Sequence, residues 1–220
     1  MNEIWAVWPS ANPDLADKCA ELWNAAGYKT AVLIDRGAAV PQVPNRTLLS
    51  PTWKGYSHAM NRLCREVSGD VVVCISDDIH PSKEETPDEI RRKFLERFPD
   101  TFGVMQPTGD KFGSIDICCP CPWVGRAFIN EAYGGNGPYN IDYFHYYSDK
   151  EIMDVAILMG AFQARNDLTQ YHDHWQRCKQ KRPKHLQHAL ERWNADKKLC
   201  EVREAAGYPG HERSACQSRD

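Results

Sequence analysis

Val71-Val72-Val73-Cys74-Ile75 runs without a polar residue into Ser76-Asp77-Asp78. Five apolar residues, mostly β-branched and with no alternation of polar and apolar, describe a strand covered on both faces, as the central strands of parallel sheets are. The flanking sequence supplies matching elements. Residues 4–8 form a short apolar run stopped by Pro9, and Leu15, Cys19, Leu22, Trp23 and Ala26 follow at helical spacing up to Gly27. Residues 30–34 repeat the apolar run and end on Asp35-Arg36-Gly37, and residues 46–50 are a third strand ending on Pro51. Tyr56, Met60, Leu63, Cys64 and Val67 predict a second amphipathic helix, closed by Gly69. Strands alternating with helices need crossover connections, so the expected fold class is α/β, with a mainly parallel mixed sheet flanked by helices. Ligands of such sheets collect beyond the carboxyl ends of the strands, which is where Pro9-Ser10, Asp35 and Asp77-Asp78 fall.

The middle of the chain is less regular. Residues 87–98 read as an exposed helix with Ile90, Phe94 and Phe98 inward, residues 101–106 as a strand, and residues 115–124 as broken extended chain. Gly134-Gly135-Asn136-Gly137-Pro138 predicts a mobile loop. A helix over 149–159 places Ile152, Val155, Ala156 and Met159 on one face and stops at Gly160. Beyond Pro183, the spacing of Leu186, Leu190, Trp193, Leu199 and Val202 predicts one or two terminal helices. At 220 residues the chain suits one main domain, residues 1–175, with a helical C-terminal extension over 176–220. A formal charge of -3 gives no global pull toward nucleic acid or membrane. No apolar run approaches the ~18 residues of a membrane span and no leader is evident, so a cytoplasmic location is expected, with the nine cysteines reduced.

Two adjacent carboxylates at the end of a buried strand repel one another, and a divalent cation relieves that repulsion. An all-oxygen site with a phosphate partner suits Mg²⁺ or Mn²⁺. The same dipeptide also reads as a solvated turn. No GxxxxGK[ST], strand-linked GxGxxG or HExxH is present, which removes the P-loop, dinucleotide and zincin readings. Cys118-Cys119-Pro120-Cys121 contains a C-x-x-C spacing, but a zinc site would need distant partners such as Cys178, Cys200, His185 or His188; buried thiols are the plainer account.

Trp53-Lys54-Gly55, Ala59, Asn61, Gly69-Asp70, the apolar strand and Ser76-Asp77-Asp78-Ile79 together resemble the nucleotide-sugar half of GT-A glycosyltransferases, particularly the family 2 type. In that family a helix carrying an Ala and an Asn leads through a Gly-Asp turn into a strand ending on a DxD motif. Here the first position of the motif is Ser76 and the last is Asp78. The resemblance implies a divalent cation (Mn or Mg) on Asp78, with Asp77 near the donor's ribose or sugar. Asp35 would face the nucleotide base, and Pro9, Ser10, Lys54 and Asn61 would be further donor contacts. It also implies a general base at the start of the helix after Tyr146-Tyr147-Ser148: Asp149, with Glu151 in reserve. Ser148 and Asp149 equally suit a helix cap, with Glu151 in the first turn.

A histidine completes the metal site in these enzymes, and His172-Asp173-His174 supplies two. Residues at i and i+2 point to opposite faces of a strand, so one of them is expected on the ion: His174 first, His172 second. Arg177, Lys179, Lys181 and Arg182 form a basic stretch just beyond, read either as a solvated face or as a grip on an anionic acceptor. The chain is similar in its compactness to small virus-encoded transferases that place sugars on hydroxymethylated pyrimidines in DNA. That likeness implies DNA as acceptor, and direct displacement with Asp149 as base, as in inverting GT-A enzymes, implies an inverting transfer. A glycan or lipid-linked sugar acceptor, and a non-catalytic nucleotide-binding module, are the alternatives.

Overall fold

The computed structural model describes residues 3–35, 39–110, 118–179, 181, 183 and 185–213; the side chains of Asp35 and His185 are outside that set. In chain order the elements are β1 (Trp5–Ser10), α1 (Pro13–Ala25), β2 (Lys29–Asp35), β3 (Arg46–Ser50), α2 (Tyr56–Glu66), β4 (Val71–Cys74), β5 (Ile79–His80), α3 (Pro87–Arg97), β6 (Val104–Pro107), β7 (Trp123–Gly125), α4 (Arg126–Glu131), α5 (Ser148–Leu158), β8 (Phe162–Arg165), β9 (Tyr171–His172), α6 (His185–Glu191) and α7 (Trp193–Ala205).

Seven strands form one mixed sheet in the order β3-β2-β1-β4-β7-β6-β8. The β3-β2-β1-β4 half is parallel throughout, β7 runs antiparallel to both β4 and β6, and β6 pairs parallel with β8. The chain leaves β1 toward β2 and β3 and returns on the other side as β4. The gap between the carboxyl ends of β1 and β4 is therefore the point where the strand order reverses, the usual ligand crevice of open sheets. A separate two-stranded ribbon, β5-β9, stands beside that gap.

Alternation along the central strands divides the core into two layers. Val7, Val72 and Cys74 pack with Met60, Leu63 and Cys64 of α2, Phe128 of α4 and Ile152 and Val155 of α5. Ala6, Trp8, Val71, Val73 and Ile75 pack with Cys19 and Trp23 of α1 and Ile90 and Phe94 of α3. Both faces of β4 are thus buried, as its unbroken apolar run requires. Local chemistry fixes the ends of the helices. Asn12 accepts from the amides of Asp14 (3.0 Å) and Leu15 (3.3 Å) ahead of Pro13, and Thr86 accepts from the Glu89 amide (3.3 Å) ahead of Pro87.

Several expectations are corrected. The buried face of α1 is Ala16, Cys19, Ala20 and Trp23, whereas Leu15 (42%) and Leu22 (44%) are exposed. Small residues let the helix approach the sheet closely enough for Trp23 to reach the Ile79 carbonyl (2.9 Å). In α5, Met153 joins the inward face, on which Met159 packs against the core as expected, and in α7 the buried residues are Asp196 and Cys200 while Trp193 and Val202 are exposed. Residues 134–138, expected as loop, are irregular, entered through a short 3-10 turn (132–135) in which the buried Tyr133 (φ 51°) and Gly134 (φ 63°) are left-handed. It is held because Asn61 is fully buried and donates to the carbonyls of Asn136 (3.0 Å) and Tyr139 (2.7 Å) while accepting from the Tyr139 amide (3.0 Å). Helix α4, strand β8 and the β5-β9 ribbon carry no sequence pattern long enough to be read. The expected extended chain over 115–124 lies partly outside the described residues. The eight cysteines within them are free thiols, and among the described residues no helix is long and apolar enough to cross a membrane.

The C-terminal helices are tied to the main body by buried charge. Asp196 of α7 accepts from the backbone amides of Phe144 (3.1 Å), His145 (2.9 Å) and Tyr146 (2.9 Å). The Phe144 carbonyl in turn accepts from the Tyr56 amide at the start of α2 (2.6 Å). Gly55 sits against that carbonyl at φ +105°, and a Cβ there would meet the oxygen at 2.5 Å, so the position needs glycine.

Candidate functional site

β1 and β4 end side by side, and their terminal polar residues meet. Asp77 accepts from the Trp8 indole Nε1 on Oδ1 and from the Ser10 hydroxyl on Oδ2, both at 2.8 Å. The two donors fix the carboxylate across the crevice. Burial pushes the Asp77 pKa up, with the charge of Asp78 adding to it, and the bonds from Ser10 and Trp8 only partly offset this, leaving a value of about 7. Asp78 goes the other way. Burial raises it as well, but the His172 imidazole and the Ser76 hydroxyl together outweigh that and hold it at about 2. Ser76 thus serves Asp78 directly, its Oγ donating to Oδ1 at 2.5 Å.

The ribbon brings His172 to this edge. β5 continues from Asp78, β9 pairs antiparallel with it in the register Ile79↔His172, and the Asp173 amide donates to the Asp78 carbonyl (2.8 Å). His172 Nε2 comes within 3.3 Å of Asp78 Oδ2. His174 lies one step further along, its ring 5.2 Å from that of His172 and 5.3 Å from that of Trp175, and burial lowers its pKa. On the other side of the ribbon, His80 Nε2 is 3.1 Å from Asp173 Oδ2.

The donor set can be tested against a divalent cation. In octahedral coordination at ~2.1 Å, adjacent donor atoms stand about 3 Å apart, and Asp78 Oδ2 and His172 Nε2, at 3.3 Å, fit two neighbouring positions on one ion. Among the described residues no group of three or more His, Cys, Asp or Glu side chains is arranged to hold a metal. A carboxylate and an imidazole from the protein, with phosphate and water oxygens filling the rest, is a chemically sound set for Mg²⁺ or Mn²⁺. The Cys118–Cys121 segment is built of thiols: Cys119 and Cys121 are buried, and Gln106 donates to Cys121 Sγ (3.6 Å).

Asp149 reaches the same sheet edge by another route. The Cys74 amide donates to the Pro122 carbonyl (2.9 Å), so the segment leading into β7 runs past the carboxyl end of β4. The Cys119 amide donates to the Asp149 carbonyl (3.0 Å), which docks the first turn of α5 against this segment. The Asp149 carboxylate is half-buried and accepts from the Lys150 amide (3.0 Å). Burial raises its pKa against the opposing effect of the Cys118 thiol. Glu151, one helical step away, is fully buried and takes four bonds: two from Arg203 (both 2.8 Å), one from Tyr143 (2.8 Å) and one from Asn140 (3.3 Å). Both of its oxygens are committed to tying α7 to α5.

The remaining sequence-derived positions scatter. Pro9 is a sheet residue of β1 opposite Leu33, and Asp35 closes β2 opposite Ser50. Lys54 is exposed ahead of α2, and Asn61 is used by the 136–139 turn. Arg177 pairs with Asp110 (2.5 Å), Lys179 and Lys181 are exposed, and Arg182 lies outside the described residues. Sequence reasoning passed over Trp8, Ser76 as a donor, and Asp110. Trp8 reads only as an apolar strand residue, because nothing local reveals that its N–H meets a carboxylate 69 positions on.

No family model matches this sequence, and no curated protein matches it. Solved structures do resemble it. PcManGT, a mannosyltransferase from Pyrobaculum calidifontis in complex with GDP-Man and Mn²⁺, superposes with a TM-score of 0.52 at 15% identity, over 74% of this chain and 54% of that one. S. aureus TarS 1-349 in complex with UDP gives 0.56 at 11% identity, over 77% and 59%. The same protein in complex with UDP-GlcNAc gives 0.52 at 11%, over 82% and 59%. The chain therefore spans between half and three-fifths of the length of these structures. At such identities the likeness concerns the fold, and with the sheet order and the acidic turn after β4 it establishes that this chain has the GT-A fold.

Proposed function

We propose that this chain is a metal-dependent glycosyltransferase that moves a sugar from a nucleoside-diphosphate sugar to an acceptor hydroxyl with inversion. The observation that carries the reading is the Asp78–His172 pair at the carboxyl end of β4, in the crevice where the strand order of a GT-A sheet reverses. The nucleotides and Mn²⁺ named for the similar structures support the same reading.

A divalent cation bound there supplies positive charge to the departing diphosphate. Asp78 and His172 would hold it, with His174 the next donor along the chain. Asp77, oriented by Trp8 and Ser10, contacts the donor's ribose or sugar. Pro9, Asp35 and Lys54 are kept as proposed donor contacts from the sequence resemblance alone, and Asn61 acts by fixing the turn it bonds. Asp149 takes the proton of the acceptor hydroxyl as that oxygen attacks the anomeric carbon from the face opposite the leaving group, which inverts the configuration. Its raised pKa moves it toward the range where a general base works best near neutrality.

For the acceptor, the proposal is a hydroxymethylated pyrimidine in DNA, supported by the exposed Lys179 and Lys181 beyond the ribbon. Transfer to modified DNA that weakens steeply with salt fits this acceptor, whereas salt-indifferent transfer to a glycan or lipid-linked sugar removes it. A non-catalytic nucleotide-binding module is the second reading, favoured by Ser76 standing where an acid is expected and donating to Asp78. Calorimetry with UDP and GDP, with and without Mn²⁺, followed by a donor panel with mass detection of products, separates them. Absence of metal-dependent binding refutes both the cation site and the transferase. Binding without transfer or donor hydrolysis favours the module.

A further inference from the structure

The β5-β9 ribbon has two residues per strand, far too little pairing to set a side chain by itself. The proposed function nevertheless needs the His172 imidazole to stay beside Asp78. The outer edge of β9 is held by one ion pair. Asp110 Oδ2 accepts from the His172 amide (3.2 Å) and from Arg177 Nη1 (2.5 Å), and the same Nη1 donates to the His172 carbonyl (3.2 Å). Both peptide groups of His172 are thereby gripped by a single carboxylate and guanidinium. Asp110 is well covered, its side chain 11% exposed. It is delivered by a tight corner: the Gly109 amide donates to the Leu168 carbonyl (2.9 Å), and a Cβ at Gly109 would meet Thr169 Oγ1 at 2.2 Å.

We propose that Asp110 and Arg177 are positioning residues that clasp the His172 backbone and so aim its imidazole at the cation site, which makes Arg177 a part of the site's frame and not an acceptor contact. This rests on the proposed Asp78–His172 cation site. Partners that bond the ring N–H of a metal-ligating imidazole change metal affinity by about 10- to 100-fold, and a clasp on the backbone of that residue is taken to act on the same scale. Asp110→Asn keeps the shape but loses the ion pair, Arg177→Met removes the donor to both groups, and Arg177→Lys keeps the charge with a single donor head.

The test has two arms on the full chain. In the first, Mn²⁺ binding in the presence of UDP or GDP is read from the EPR signal of free Mn²⁺ in wild type, Asp78→Ala, Asp110→Asn, Arg177→Met and Arg177→Lys. The expected result is Mn²⁺ affinity about 10- to 100-fold weaker in Asp110→Asn and Arg177→Met, with partial recovery in Arg177→Lys. In the second, the ring resonances of His172 are followed by NMR in metal-free protein, where Asp110→Asn is expected to move them, and with them those of the adjacent His174 (ring 5.2 Å away), as Asp78→Ala does, while the rings of His58, His145 and His211, away from the ribbon, stay put. Wild-type protein that binds Mn²⁺ no better than Asp78→Ala overturns the cation site, and the NMR arm still decides the clasp. Unchanged His172 resonances overturn the clasp. So does unchanged Mn²⁺ affinity accompanied by a raised acceptor KM in Arg177→Met.

Discussion

Replacing Arg203 with Met tests how the C-terminal helix is fastened to the helix that carries Asp149. Glu151 is 0% exposed and Arg203 12%, and the pair makes two parallel bonds of 2.8 Å. Arg203→Met preserves length and packing but leaves a carboxylate in the interior without its guanidinium, served by neutral donors such as Tyr143 and Asn140. Breaking a buried pair in this way costs about 3–5 kcal/mol, which for a chain of this size lowers Tm by about 6–20 °C. The converse change is milder, because the guanidinium left by Glu151→Gln keeps some solvent access and its bond to the Pro209 carbonyl (3.1 Å). About 2–3 kcal/mol is expected for it. In the double variant no buried charge is stranded, so its cost falls below that of Arg203→Met alone, and the singles are non-additive by ~2 kcal/mol or more. Urea unfolding followed by tryptophan fluorescence gives all four values. Strict additivity, or a loss under ~1 kcal/mol for Arg203→Met, would refute the claim that this pair is a buried fastening.

Four further outcomes are expected. Asp149→Asn should leave Mn²⁺-dependent nucleotide binding intact by calorimetry while transfer falls by about 100-fold or more; retention of full activity removes Asp149 as the base. Asp196→Ala orphans three backbone amides and should cost at least ~2 kcal/mol in urea unfolding, with Asp196→Asn recovering part of it. In metal-free protein the folded Asp77 carboxyl keeps its proton to about 7 whereas the unfolded one releases it near 3.8. Between those values the folded state binds more protons, so stability falls as pH rises through that window and levels off above it. Asp77→Asn should flatten the slope in denaturant titrations at several pH values. Asp78 has the opposite sign: held at about 2, it contributes stability above the unfolded pKa that is lost as pH drops from near 3.8 toward 2, and Asp78→Asn should remove that separate acid limb.

The sequence by itself determined the central half of the sheet. An unbroken apolar run such as 71–75 can satisfy its burial only between two helical layers, and capped, periodic segments such as Pro13–Ala25 and Pro87–Arg97 can be little else. It also placed acids after β4 and at the start of α5, since those positions follow from local order along the chain. Which face α1 buries was decided by packing, because close approach of the helix favoured Ala16 and Ala20 over the larger Leu15 and Leu22. The division of labour among the polar residues was likewise left to tertiary structure. Glu151 and Asp149 are neighbours of the same charge in the sequence, yet one is sealed under Arg203 and the other is docked through its carbonyl against the segment leading into β7. His172 and His174 are equivalent on paper, but in the folded chain His172 lies beside Asp78, its amide and carbonyl bonded by Asp110 and Arg177 from 62 residues earlier and 5 later. Hydrogen bonds of that kind join atoms far apart in sequence and have no local signature, so the acids at the site are written in the chain while their geometry exists only once the sheet has closed around them.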